Sequence, residues 1–151
     1  MLFGSSGIRR KFDQTLIDTA LRVGSALAFR SSDIVVGMDT RTTSPLLVHL
    51  VTSGILGSGG IVHNTGIAPT PSVAYITRTV KAGCMITASH NPEEYNGLKL
   101  FNPNGSSFTQ EQQAEMEGLL NSRYWTDWQH QGSEMSIDAL TPHKNAILDN
   151  V

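Results

Sequence analysis

Met85-Ile86-Thr87-Ala88-Ser89-His90-Asn91-Pro92 runs straight into Glu93-Glu94-Tyr95-Asn96-Gly97-Leu98-Lys99. The apolar run from Cys84 to Ile86 suits a short buried strand, and its break into small and polar residues predicts a turn that carries Ser89 at the strand's end. In α/β proteins ligands and chemistry collect at such strand ends. A hydroxyl at Ser89, an imidazole at His90, an amide at Asn91 and, one short loop later, an ammonium at Lys99 crowd this turn. A serine hydroxyl is a weak nucleophile until a base takes its proton or it becomes a phosphoester that can be passed on. Lys99 and any nearby arginine favour the phosphoester, whereas a hydrolase serine calls for a G-x-S-x-G elbow. Ser89 is flanked instead by Ala88 and His90.

Outward from this turn the chain alternates strand and helix patterns. Leu2, Phe3, Ile8 and Phe12 surround the turn Gly4-Ser5-Ser6-Gly7, which predicts a bent strand or two short ones. Asp13 is placed to cap a helix in which Leu16, Ile17, Ala20, Leu21, Gly24, Leu27 and Ala28 keep helical spacing to about Arg30. Asp33 to Asp39 reads as a buried strand, Ser44-Pro45 opens a helix that Gly57 to Gly60 stop, and Gly60 to Asn64 reads as a third strand. Ile67 to Pro71 is a stiff loop into a helix from about Ser72 to Thr79. Leu98 to Phe101 predicts a strand at the sheet edge. About ten residues separate it from the Cys84 strand, too few for a helical crossover, so the two are expected to be antiparallel. Thr109 caps a polar helix to about Leu120.

The class expected is α/β, a three-layer α/β/α sandwich over residues 1–120 with a mixed, mostly parallel sheet of about four strands. Residues 121–137 shift to polar composition without a period and read as a connecting segment; 138–151 start a helix assigned to a second domain. Trp125 and Trp128 either pack on the domain or form a sugar-stacking pair.

The 151 residues are 39% hydrophobic with a net charge of −2, enough for one core and without an electrostatic footprint for nucleic acid or membrane. The single Cys84 sits in an apolar run and forms no internal disulfide. No run approaches the ~18 apolar residues of a membrane span, so a cytoplasmic protein is expected. His49 has no second ligand at helical spacing. Arg41 has two readings, holding an anion near the strand end or pairing with Asp39 to fix the loop.

Thr87-Ala88-Ser89-His90-Asn91-Pro92 with Asn96-Gly97-Leu98-Lys99 resembles the phosphoserine loop of the α-D-phosphohexomutases, the phosphomannomutase, phosphoglucomutase and phosphoglucosamine mutase family. The resemblance extends to Phe3-Gly4-Ser5-Ser6-Gly7-Ile8-Arg9, to Gly37-Met38-Asp39-Thr40-Arg41 with Ser44-Pro45, and to Gly66 with Pro69-Thr70-Pro71, covering roughly residues 1 to 120. It implies the N-terminal domain of an intramolecular phosphotransferase of the isomerase class. Such an enzyme interconverts hexose 1-phosphate and hexose 6-phosphate through a phosphoserine and a sugar bisphosphate.

Carried over by that resemblance, Ser89, His90, Lys99 and Arg9 are catalytic, and Arg9, Ser89, His90, Asn91 and Lys99 bind phosphate or substrate. Arg9 projects toward the serine phosphate. Lys99, with His90 assisting, is the base for the sugar hydroxyl, and each of the two remains a candidate. Magnesium, Mg2+, would meet this chain only through the phosphoserine oxygen of Ser89, its other ligands lying outside the chain. The implied partners are hexose phosphates, a hexose bisphosphate and the missing domains of the same polypeptide, so the 151-residue piece alone is expected to be inactive. Arg10 stands where the family usually has glycine, and a side chain there either crowds the loop or adds positive charge. Two other classes stand beside this one: a non-catalytic sugar-phosphate binding or interaction module, and a serine hydrolase.

Overall fold

The computed structural model describes residues 2–5 and 7–151. Ser6, inside the expected Gly4 to Gly7 turn, lies outside the described residues, as does Met1; Gly4 and Gly7 themselves pair as an antiparallel bridge.

Along the chain come β1 (Ile8–Lys11), α1 (Gln14–Arg30), β2 (Asp33–Met38), α2 (Ser44–Gly57), β3 (Ile61–Ile67), α3 (Thr70–Ile76), β4 (Ala82–Ile86), β5 (Tyr95–Phe101), α4 (Gln110–Leu119), β6 (Ser133–Ser136) and α5 (Leu140–Asp149). The sheet order is β1-β5-β4-β2-β3-β6. Its four central strands form the expected mixed sheet, with β3, β2 and β4 parallel and β5 antiparallel to β4. β1 and β6 extend it to six strands.

Two details depart from expectation. β5 is internal rather than an edge, because β1 pairs with its far side over Ile8–Lys11. The polar 121–137 segment contributes β6, which runs parallel to β3 with all four residues exposed. Trp125 packs against Gly57 at the end of α2, while Trp128 stands 84% exposed.

The core divides by strand alternation. Ile34, Val36, Cys84, Ile86, Leu98 and Leu100 meet Leu16, Ala20, Val23 and Leu27 of α1, Leu47, Val51 and Ile55 of α2, and Met116 of α4. Val35, Met85 and Phe101 turn to the other face, against Val73 and Ile76 of α3 and Ala139. Covered on both faces, β2 and β4 are apolar at consecutive positions, as parallel central strands are. Burial pushes the Cys84 thiol up to about 12. Asp13 caps α1 by accepting from Leu16 N at 2.9 Å, and Thr109 and Gln112 form a capping box on α4. Among the described residues no helix is long and apolar enough to cross a membrane.

Candidate active site

β4 ends at Ile86 and the chain continues through Thr87 and Ala88, both buried, into a turn at Ser89 and His90, which emerge exposed at the carboxyl end of the parallel strands. Ser89 has φ 54°, the only positive φ outside glycine among the described residues. A left-handed conformation costs an L-residue roughly 1–2 kcal/mol, so surrounding contacts must impose it. Ser89 N donates to Thr87 Oγ1 at 3.0 Å and Asn91 N to Ala88 O at 3.0 Å, which closes the turn.

The larger constraint is Arg41. Its Nη1 donates to Pro92 O at 2.7 Å and Tyr95 O at 3.0 Å, its Nη2 to Ser89 O at 3.0 Å and Asn91 O at 2.8 Å, and its Nε to Asp39 Oδ2 at 3.3 Å. A guanidinium has five N–H donors, and all five are used. Of the two readings of Arg41, loop fixing is therefore the one the geometry shows, and no donor is left for an anion.

Asp39 is held in turn by Ser44 Oγ at 2.7 Å and the Arg41 amide at 3.0 Å. Burial alone would raise the Asp39 carboxyl; hydrogen bonds from Ser44, Thr87 and the Arg41 amide, with the Arg41 charge, outweigh it and hold the group below its ordinary 3.8. Asn96, fully buried, donates to Ser44 Oγ at 3.0 Å and Thr43 Oγ1 at 2.9 Å, tying the start of α2 to β5. Asp39, Ser44, Thr87 and Asn96 were not among the sequence candidates. The visible signals were Asp39 two residues before Arg41 and Asn96 inside the lysine motif.

Arg9 lies opposite Gly97 in the β1/β5 ladder and Lys99 opposite Met85 in the β5/β4 ladder. Directly opposed residues share a face and faces alternate along a strand, so Arg9 and Lys99 occupy the same face as near neighbours. Both are half-buried. Arg9 Nε is buried without a hydrogen-bond partner among the described residues, and Lys99 Nζ sits 5.7 Å from the Phe101 ring centroid. Arg10 points to the opposite face and pairs with Asp13 at 2.7 Å, so the residue at the expected glycine position supports the α1 cap. An open cleft of ≈ 880 Å³ is lined by Ser89 and Asn91 with Asp39, Thr40, Arg41, Thr42, Thr87, Glu93 and Glu94; Arg9, His90 and Lys99 are not in its wall. Among the described residues no group of three or more His, Cys, Asp or Glu is placed to hold a metal ion.

Residues 1–126 match the family described as phosphoglucomutase/phosphomannomutase, alpha/beta/alpha domain I. The chain belongs to this family. It is 48% identical over 154 residues to the phosphoglucosamine mutase of Methanocaldococcus jannaschii, covering 99% of this chain and 34% of that one. With the phosphoglucosamine mutase of Methanococcus maripaludis (strain C5) it shares 42% identity over 146 residues, 97% of this chain and 31% of the relative. A phosphoglucomutase/phosphomannomutase family protein from Burkholderia thailandensis has the same fold, with a TM-score of 0.80 at 23% identity over 99% of this chain and 36% of that one. The chain thus spans about a third of the length of these relatives. It is domain I of a phosphohexomutase-superfamily protein, and the clamped Ser89 turn lies within the part that matches.

Proposed function

We propose that this domain carries the transferable phosphoryl group of a phosphohexomutase on Ser89 Oγ. The observation that carries the reading is the turn itself: one exposed serine, in a left-handed conformation, at the carboxyl edge of the sheet, on a backbone bonded to the half-buried Arg41 guanidinium. Phosphoryl transfer depends on positioning and on neutralising charge more than on covalent help from the protein, and a fixed carrier suits that demand.

In the forward half-reaction an oxygen of the hexose monophosphate attacks the phosphorus, the bond from phosphorus to Ser89 Oγ breaks, and the sugar hydroxyl gives its proton to a base. The resulting bisphosphate turns over and returns its other phosphoryl group to Ser89. The base we assign is Lys99, with His90 assisting. Arg9, whose Nε has no partner among the described residues, is assigned to the phosphate. Magnesium, when bound at the phosphoserine oxygens with ligands from outside this chain, supplies further neutralisation of the phosphoryl charge. Relatives 42% and 48% identical bear the name phosphoglucosamine mutase, which makes a glucosamine phosphate the hexose we assign. The 151 residues alone are expected to show no turnover.

The test is activity of the intact enzyme with glucosamine phosphates after Ser89→Ala, Lys99→Ala and His90→Ala. Loss with Ser89→Ala supports the carrier, and turnover by that variant contradicts it. The base is the residue whose removal abolishes the acidic limb of the pH profile of kcat, where a protonated base can no longer accept the sugar proton.

A further inference from the structure

We infer that Arg41 is a positioning residue for the phosphoryl carrier: its guanidinium, anchored on Asp39, fixes the direction in which Ser89 Oγ is presented. The inference rests on the phosphoserine reading for its catalytic consequence, but the clamp itself is a matter of geometry.

Four carbonyls within seven residues, those of Ser89, Asn91, Pro92 and Tyr95, converge on one side chain at 2.7–3.0 Å. Carbonyls aimed at a common point leave the loop little freedom to rotate its peptide planes. The bond to Ser89 O acts on the residue whose backbone is otherwise unfavourable. Arg41 is itself held: its side chain is 13% exposed, its Nε and amide both bond Asp39, and Asp39 is tied through Ser44 to the buried Asn96 of β5. A chain of contacts therefore links the end of β2, the first turn of α2, β5 and the Ser89 turn. Although Arg41 lines the cleft beside Ser89, its donors are all committed to protein oxygens, so it orients the carrier and does not bind the substrate. Lysine at this position would keep the charge, but its ammonium has three donors on one atom and cannot span the four carbonyls and Asp39.

The experiment compares Arg41→Lys and Arg41→Ala with wild type in the intact enzyme. With Arg41→Lys, kcat is expected to fall about 100-fold while KM for the hexose phosphate moves less than about threefold, as when an oriented group is displaced without loss of ground-state binding. Amide hydrogen exchange over residues 89–95 is expected to accelerate in the same variant, and guanidinium ion added to Arg41→Ala to restore part of kcat. Wild-type kcat in Arg41→Lys, or an increase in KM with kcat unchanged, would overturn the inference. If Arg41→Ala does not fold, Arg41→Lys, which preserves charge and most of the volume, decides the question. Turnover by Ser89→Ala would remove the phosphoserine reading alone; unchanged exchange over 89–95 in Arg41→Lys would remove the clamp alone.

Discussion

Arg9 of β1 stands directly across the ladder from Gly97 of β5, where a Cβ would run into the carbonyl of Ile8 and come within 3.1 Å of Arg9 Cα. The two strands approach this closely only because residue 97 has no side chain. Gly97→Ala is therefore expected to push β1 off the sheet, costing about 1–3 kcal/mol as overpacking does. Chemical denaturation measures it; unchanged stability would show that β1 tolerates displacement. Because Arg9 moves with β1, the intact enzyme should also lose activity.

Ser89→Gly should be more stable than Ser89→Ala by about 1 kcal/mol, since glycine takes the left-handed conformation without the Cβ penalty while losing more freedom on folding. Both variants lack the hydroxyl we propose as the carrier and should be equally inactive. Denaturation midpoints of the pair settle the strain; equal midpoints would mean that the turn holds Ser89 at no conformational cost.

Asp39 predicts an acid sensitivity with a definite sign. Burial opposes its charge, yet the bonds from Ser44, Thr87 and the Arg41 amide leave its carboxyl below 3.8 in the folded chain. Its contribution to stability is therefore complete above 3.8 and disappears as pH falls through the lower folded value. Asp13, through its hydrogen bond with Arg10, and Asp33, through that with His63, shift in the same direction. Asp39→Asn should destabilise the chain at about pH 6 and do so less at about pH 3, below the ordinary 3.8, where the unfolded wild-type chain already takes up the proton that the folded one resists. A destabilisation equal at both values would show that the charge on Asp39 contributes nothing to the loop.

Local pattern revealed what local pattern controls. The Ser89 turn was legible because β4 must be apolar on both faces and Thr87 to Pro92 cannot continue it. The caps at Asp13 and Thr109 announced their helices for the same reason. Long-range pairing stayed hidden: β1 covers β5 across some ninety residues, and nothing in Leu98 to Phe101 says whether a partner lies beyond it. β6 was invisible because Ser133–Ser136 carries neither alternation nor buried apolar side chains, and its place rests on the backbone ladder with β3. At the site, sequence proximity suggested the Asp39–Arg41 pair. The four carbonyls of a loop fifty residues away could come only from the structure.

The most direct measurement of the central claim is the fate of a labelled phosphoryl group on the intact enzyme. Enzyme charged with labelled phosphate is digested and mapped by mass spectrometry, then mixed with unlabelled hexose monophosphate and quenched at intervals. The label is expected on Ser89 before mixing and, within one turnover, on the sugar, with Ser89→Ala taking up none. A label mapped to another residue, or one that stays on Ser89 while substrate is converted, would contradict the assignment of Ser89 as the phosphoryl carrier.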